Sequence, residues 1–274
     1  MLAAAIGYQR TEAAGLLVAD GGFGGVLAIE EHSVRVTVDN GIAVTEVTQV
    51  FRNTESRQVE ALYSFPVPRG ATVSNFSMWI DGKEMVGEVM EKGQARQIYN
   101  AYKQQRKDPG LLEQVDYKSF EMRVFPIAAN ARQKVQITYY QELDVDNDWV
   151  SYVYPLATVS SPKADQKVSG KFALSFDAKS EVPIAQMESP SHPNDFVIAK
   201  HTSHYAQASL EASGGDLGRD IVLAYRVDRP HTGVDVVSSK VKGEDGYFYL
   251  TLTAGDELVP HQLGMDYVFV LDIS

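Results

Sequence analysis

Apolar residues recur at every second position along most of the first half of the chain, a period that predicts strands. Val34, Val36 and Val38 alternate with Arg35 and Thr37, and the Asn40-Gly41 pair that follows is a strong two-residue hairpin signal. Ile42 to Phe51 resumes with a high density of β-branched residues, which completes a hairpin. Ala61 to Val67 is another extended run, closed by Pro66 and Pro68. Phe76, Met78 and Ile80 share one face before Asp81-Gly82 turns the chain into Lys83 to Val89, a second hairpin. Further on, Phe120, Met122 and Val124 alternate with Glu121 and Arg123, and Val135, Ile137 and Tyr139 alternate with Lys134, Gln136 and Thr138. The first half is therefore expected to be an antiparallel β-domain.

A change of period interrupts the strands once. From Glu91 to Lys107 the residues are good helix formers, stopped by Asp108-Pro109-Gly110, with Ala95, Ile98, Tyr99 and Tyr102 on one face. Lys92, Arg96, Lys103, Arg106 and Lys107 make the other face basic. Such a face could dock an acidic partner or the chain's own acidic second half, but a solvated surface with the tyrosines capping the β core is the ordinary arrangement and the preferred reading. In the second half Phe172, Leu174 and Phe176 alternate, and Ile221 to Val227 and Tyr247 to Leu252 are strand candidates. Gly214-Gly215 and Asp245-Gly246 are the turns. This half reads as a second β-rich, sandwich-like segment. Tyr267 to Leu271 is a continuous apolar run, as in a parallel strand buried on both faces.

Charge divides the chain further. Residues 26–143 carry 14 basic and 15 acidic side chains, whereas residues 144–274 carry 10 and 19, a net of −9 out of −11. A boundary is thus expected near Leu143, at the polar run Asp144, Asp146, Asn147, Asp148. The Gly-rich stretch around Phe23 makes residues 1–25 a flexible lead-in. Its glycines lack the strand before and the GK[ST] after that a phosphate loop needs, and it has no basic region of a signal peptide. The acidic balance argues against a nucleic-acid partner, and no apolar stretch approaches the roughly 20 residues of a membrane span. With no Cys in 274 residues, disulfides, thiolate metal sites and cysteine nucleophiles are excluded.

Asn40-Gly41-Ile42-Ala43, Thr45, Val47, Gln49, Phe51-Arg52-Asn53, Glu60-Ala61-Leu62-Tyr63 and Phe65-Pro66-Val67-Pro68 together resemble the opening of the VIT domain of vault proteins and inter-alpha-trypsin inhibitor heavy chains. Phe76, Met78, Ile80, Gly82, Gly87, Val89, Glu91-Lys92, Ala95, Tyr99, Leu111-Leu112-Glu113-Gln114, Phe120, Pro126, Tyr139 and Gln141-Glu142-Leu143 continue in that family's order. The one departure is Lys107-Asp108-Pro109, where many members have a Gly- and Ala-rich link. The resemblance implies a mainly β fold: an antiparallel sandwich or barrel-like VIT domain with one α-helix over 26–143, then an acidic β-rich linking domain over 144–264. It also implies a von Willebrand factor A domain to follow. Tyr267 to Leu271 running into Asp272-Ile273-Ser274 resembles the first strand of that domain, whose adhesion motif is Asp-x-Ser-x-Ser; residues 265–274 are assigned to it.

A hard cation such as Mg2+ takes near-octahedral oxygen ligands, which Asp and hydroxyl groups at the carboxyl end of a parallel strand can supply. Asp272 and Ser274 are the candidate metal ligands. Alone they are too few for a competent site, so no cofactor is expected for the chain as it stands and Mg2+ belongs to a longer one. Three other constellations fail. Asp144 to Asp148 begins like a calcium loop, but Trp149 stands where Gly is needed and Pro155 where Glu is needed. His192, His201 and His204 lack zinc-site spacing. Asn75-Phe76-Ser77 is a formal glycosylation sequon around a core-facing Phe. No GxSxG, P-loop, HExxH or dinucleotide fingerprint is present, so catalytic residues are none. The expected function is a non-catalytic scaffold for cation-dependent adhesion, binding a protein or extracellular-matrix ligand at a surface or outside the cell. The alternatives are an assembly module of a large intracellular particle or a hydrolase with an unrecognised site.

Overall fold

Asn40 and Gly41 both have positive φ, 47° and 82°, the backbone that a two-residue hairpin turn requires and that Asn and Gly tolerate best. In the computed structural model this turn joins β2 (Ala28–Asp39) to β3 (Ile42–Arg52). The structure describes residues 16–19, 27–68, 70–80, 82–87, 110–114, 119–146, 148–156, 168–213, 219–228, 232–240, 242–243 and 245–254. Among these the remaining elements are β1 (Leu16–Ala19), β4 (Val59–Pro66), β5 (Thr72–Ile80), β6 (Lys83–Val86), β7 (Gly110–Gln114), β8 (Ser119–Ile127), β9 (Arg132–Glu142), β10 (Asp144–Asp146), β11 (Trp149–Tyr154), β12 (Val168–Lys179), β13 (Ile184–Glu188), β14 (Val197–Thr202), β15 (Tyr205–Ser213), β16 (Ile221–Val227), β17 (Thr232–Lys240) and β18 (Gly246–Ala254). The protein is mainly β, as expected, and no helix occurs among the described residues. The expected helix, Glu91 to Lys107, lies outside them.

Residues 1–227 and 228–274 form two units. The first is organised by one eight-stranded sheet in the order β14-β15-β12-β2-β3-β9-β5-β6. Two four-stranded sheets, β1-β4-β8-β7 and β10-β11-β16-β13, contribute to the same core. Tyr63 of β4 meets Phe51 of β3 edge-on with centroids 5.7 Å apart, and Phe65 lies 6.1 Å from Tyr139 of β9. Beside this sandwich is a second: Tyr152 of β11 and Tyr225 of β16 flank Phe176 of β12 at 5.5 and 6.5 Å. Ring pairs at these separations favour the tilted and edge-on contacts seen here.

The strands on either side of Leu143 thus share one sheet. Its join is the parallel pairing of β2 with β12, in register from Glu31↔Lys171 to Asp39↔Lys179. Val34, Val36 and Val38 point inward beside Leu174, Phe176 and Ala178, while Arg35 and Thr37 face solvent. Both strands therefore bury the same face, which is what allows two alternating patterns to fuse into one core. The charge step at Leu143 falls inside this unit: the Leu143 side chain is buried and its amide donates to the Gly41 carbonyl at 2.8 Å.

Two local differences from the sequence reading stand out. Leu16–Ala19, within the stretch read as a flexible lead-in, is a strand paired antiparallel with β4 from Leu16↔Ser64 to Ala19↔Ala61. Four consecutive apolar residues carry no alternation, so their strand character comes from the edge of β4 they complete. β14 was not foreseen either. All six of its residues are exposed at the end of the long sheet, which leaves no apolar period to read. The second unit contains the hairpin β17–β18, paired from Thr232↔Ala254 to Lys240↔Gly246.

Candidate functional site

The alternation that builds β2 and β3 places a few polar residues in phase with the apolar ones. His32 precedes Val34 and Val36 on the inward face, and Gln49 sits between inward Val47 and Phe51. Burial then forces these groups to find partners. His32 Nε2 lies 2.7 Å from the Tyr154 hydroxyl, and Gln49 Nε2 lies 3.3 Å from His32 Nδ1. The Tyr63 hydroxyl donates to Gln49 Oε1 at 2.6 Å. The result is one buried string, Tyr154–His32–Gln49–Tyr63, drawn from β11, β2, β3 and β4, so that it runs from the second sandwich into the first.

A second pair lies in the same core. Thr45 Oγ1 and the Tyr152 hydroxyl are 3.0 Å apart, and the Tyr139 hydroxyl faces them without closing a hydrogen bond of its own. Burial pushes His32 down to about 3 and Tyr139 up to about 12, the Tyr152 and Thr45 hydroxyls partly offsetting the latter. Tyr63, Tyr152 and Tyr154 are likewise raised by burial. These groups stay neutral across ordinary pH, which suits a dry structural interior and not proton transfer.

At the rim, Asn53 organises the loops. Its Nδ2 donates to the carbonyls of Arg57 and Ala128 at 2.9 Å and of Ile127 at 3.3 Å, and its Oδ1 accepts from the Glu55 amide at 3.0 Å. Asn53→Ala would leave buried backbone groups unpaired, so a loss of about 2–3 kcal/mol is expected. Urea unfolding measures it, and Asn53→Asp, which keeps the acceptor and loses the donors, should recover only a small part.

The singled-out residues occupy these positions. Asp272 and Ser274 lie outside the described residues. Asp144 and Asp146 are exposed on β10, which pairs antiparallel with β11 so that Asp146 opposes Trp149; Asp148 has φ 64°. That segment is a tight hairpin. His201 Nε2 is 2.6 Å from Gln207 Oε1, His204 Nδ1 is 3.0 Å from the Ser180 carbonyl, and His192 Nδ1 is 2.7 Å from Ser191 Oγ. Ser191 Oγ in turn accepts from the Val222 amide at 2.7 Å, which makes the Ser191–His192 pair a clasp on β16. His192 is held below the usual imidazole range by partial burial, then by Arg219, against a smaller opposing effect of Asp195. No group of three or more potential metal ligands occurs among the described residues. Asn75 is exposed, whereas Phe76 and Ser77 are buried.

This geometry defines the class: a β module whose described polar clusters brace strands and loops. The family follows from comparison. Residues 29–139 match the Vault protein inter-alpha-trypsin (VIT) domain, and the chain carries a VIT domain. Over 137 residues, 49% of this chain, it is 29% identical to the rat von Willebrand factor A domain-containing protein 5A. Over 120 residues, 43% of this chain, it is 33% identical to the human inter-alpha-trypsin inhibitor heavy chain H6. Those stretches cover 16% and 9% of the two relatives, so the chain matches only a small part of each. In fold it is similar to the crystal structure of a putative nutrient binding protein from Legionella pneumophila, with a TM-score of 0.50 and 12% identity over 80% of this chain and 73% of that one.

Proposed function

We propose that the chain is a non-catalytic scaffold that holds a cation-dependent adhesion domain in position to bind a protein or matrix ligand, at a cell surface or outside the cell. The observation that carries this reading is the VIT domain built into a continuous sheet, in a chain with a von Willebrand A relative. In this arrangement residues 26–143 form the VIT domain, 144–264 link it onward and 265–274 begin the A domain, with Asp272 and Ser274 as its first two Mg2+ ligands. When bound, Mg2+ would offer an open coordination position to a partner carboxylate. Ser191, His192 and His204 make contacts that tie strands and loops together, as a scaffold requires.

Thermal melting with and without MgCl2 tests the reading. The 274-residue chain should not shift, whereas a polypeptide carrying a complete adhesion motif should be stabilised by Mg2+ and lose that stabilisation in Asp272→Ala. A shift of several degrees in the 274-residue chain itself would place the cation elsewhere and overturn the assignment.

A further inference from the structure

The Tyr154–His32–Gln49–Tyr63 string has a direction. The Gln49 amide nitrogen has only hydrogens to give, so His32 Nδ1 accepts and the ring proton sits on Nε2, directed at the Tyr154 hydroxyl. Tyr63 gives its proton to the other end of the Gln49 amide. Both ring nitrogens are thus satisfied by a neutral imidazole. A second ring proton, on Nδ1, would point at the Gln49 NH2 group, donor against donor. Turning the amide over would make Tyr63 an acceptor and take away the buried carbonyl that receives its hydroxyl proton.

Among the described residues, the ring's hydrogen-bond and aromatic neighbours carry no negative charge. Tyr154 of β11 and Phe172 of β12 meet it edge-on at 5.9 and 5.3 Å. Among the described residues, the buried titratable side chains of this interior include the hydroxyls of Tyr154 and Tyr152 on β11, Tyr63 on β4, Tyr139 on β9 and Tyr225 on β16, all neutral in acid. Among the described residues no carboxylate is hydrogen-bonded or ion-paired to the ring. His32 is also the point where the two sandwiches meet: its strand pairs with β12 on one side and β3 on the other, and its ring reaches β11.

We propose that this string is a proton-operated latch, in which His32 takes up a proton only when the β11 side opens to water, so that acid loosens the β10-β11-β16-β13 sheet while the half built on β5 and β9 stays closed. The sign follows from linkage. The closed state holds the ring unprotonated down to about 3, whereas an opened ring titrates at its ordinary 6.5. Closure is therefore at full strength above pH 6.5 and weakens about tenfold per pH unit below it, a loss of roughly thirtyfold at pH 5.

Segment-resolved hydrogen exchange on the whole chain at pH 7 and pH 5, corrected for intrinsic exchange chemistry, tests this. Amides of β11 and β16 should lose roughly thirtyfold protection at pH 5 while those of β5 and β9 keep theirs, and His32→Gln should remove the pH dependence. Equal losses in all four strands would mean general acid unfolding and overturn the latch, as would unchanged protection or a pH dependence that persists in His32→Gln. Should that variant not fold, the His32 Cε1 proton resonance of the unmodified chain decides. The closed form should show no titration between pH 7 and pH 4, and an ordinary titration near 6.5 without loss of β11 protection would overturn the proposal.

Discussion

Replacing Gly170 by alanine is expected to destabilise the first unit by about 3 kcal/mol or more, lowering its melting temperature by roughly 6–12 °C. The reason is space. A Cβ at this position would lie 1.9 Å from the Glu30 carbonyl oxygen and 2.9 Å from the carbonyl carbon, both backbone atoms that no rotamer change can move. Ser169 and Gly170 sit opposite Glu30 where the β2–β12 register shifts, between Val168↔Ile29 and Lys171↔Glu31. Making room therefore means separating the join itself. The Glu30 carboxylate would move too, and it accepts from Arg132 at 2.6 Å and Arg52 at 3.2 Å. These exposed pairs add little, so the backbone collision dominates. Gly41→Ala is the instructive control: nothing lies near its added Cβ, but its φ of 82° is unfavourable for alanine, and a loss of about 1 kcal/mol is expected. Thermal melts of the two variants separate a steric requirement for glycine from a conformational one. Equal, small losses would show that the β2–β12 join is looser than its geometry implies.

Phe176→Ala should cost about 3–5 kcal/mol. The ring is 1% exposed and lies between Tyr152 and Tyr225, so its removal leaves a void bounded by two rings from the covering sheet. Collapse into that void is opposed on one side by Thr45, which holds the Tyr152 hydroxyl at 3.0 Å. Chemical denaturation gives the magnitude. Phe176→Leu, which keeps most of the volume, should recover more than half of the loss; a cost below about 1 kcal/mol for Phe176→Ala would mean that the second sandwich is not close-packed against β12.

Much of this architecture could be read from side-chain period. The Val34–Val36–Val38 and Phe172–Leu174–Phe176 alternations became β2 and β12, each with the expected face inward, and Ile221 to Val227 became β16. Their pairing could not be read, because a strand's period records which face is buried and says nothing about its lateral neighbour. A charge count is blind to the same relation, which is why the acidity beginning after Leu143 marks a change of surface within a continuous sheet. The buried string is not legible for a different reason: its members match no catalytic or metal-binding motif. A usable signal was present in His32 and Gln49, polar residues standing at inward positions of otherwise apolar series. Asp272 and Ser274 were legible only through resemblance, since two oxygen ligands after a strand have little meaning without their context.

The β2–β12 pairing also bears on the order in which the chain can fold as it is made. β2 obtains one neighbour, β3, within a few residues, but its other neighbour is complete only when Lys179 has emerged. At typical synthesis rates of about 5–20 residues per second, the chain would spend roughly seven to thirty seconds with one long side of β2 unpaired. That side is an edge able to pair with another nascent chain. Growth of the sheet across this edge is slow because the contacts are distant in sequence, so escape from aggregation depends on how soon β12 arrives. A polypeptide ending before β12 would keep the nascent edge permanently.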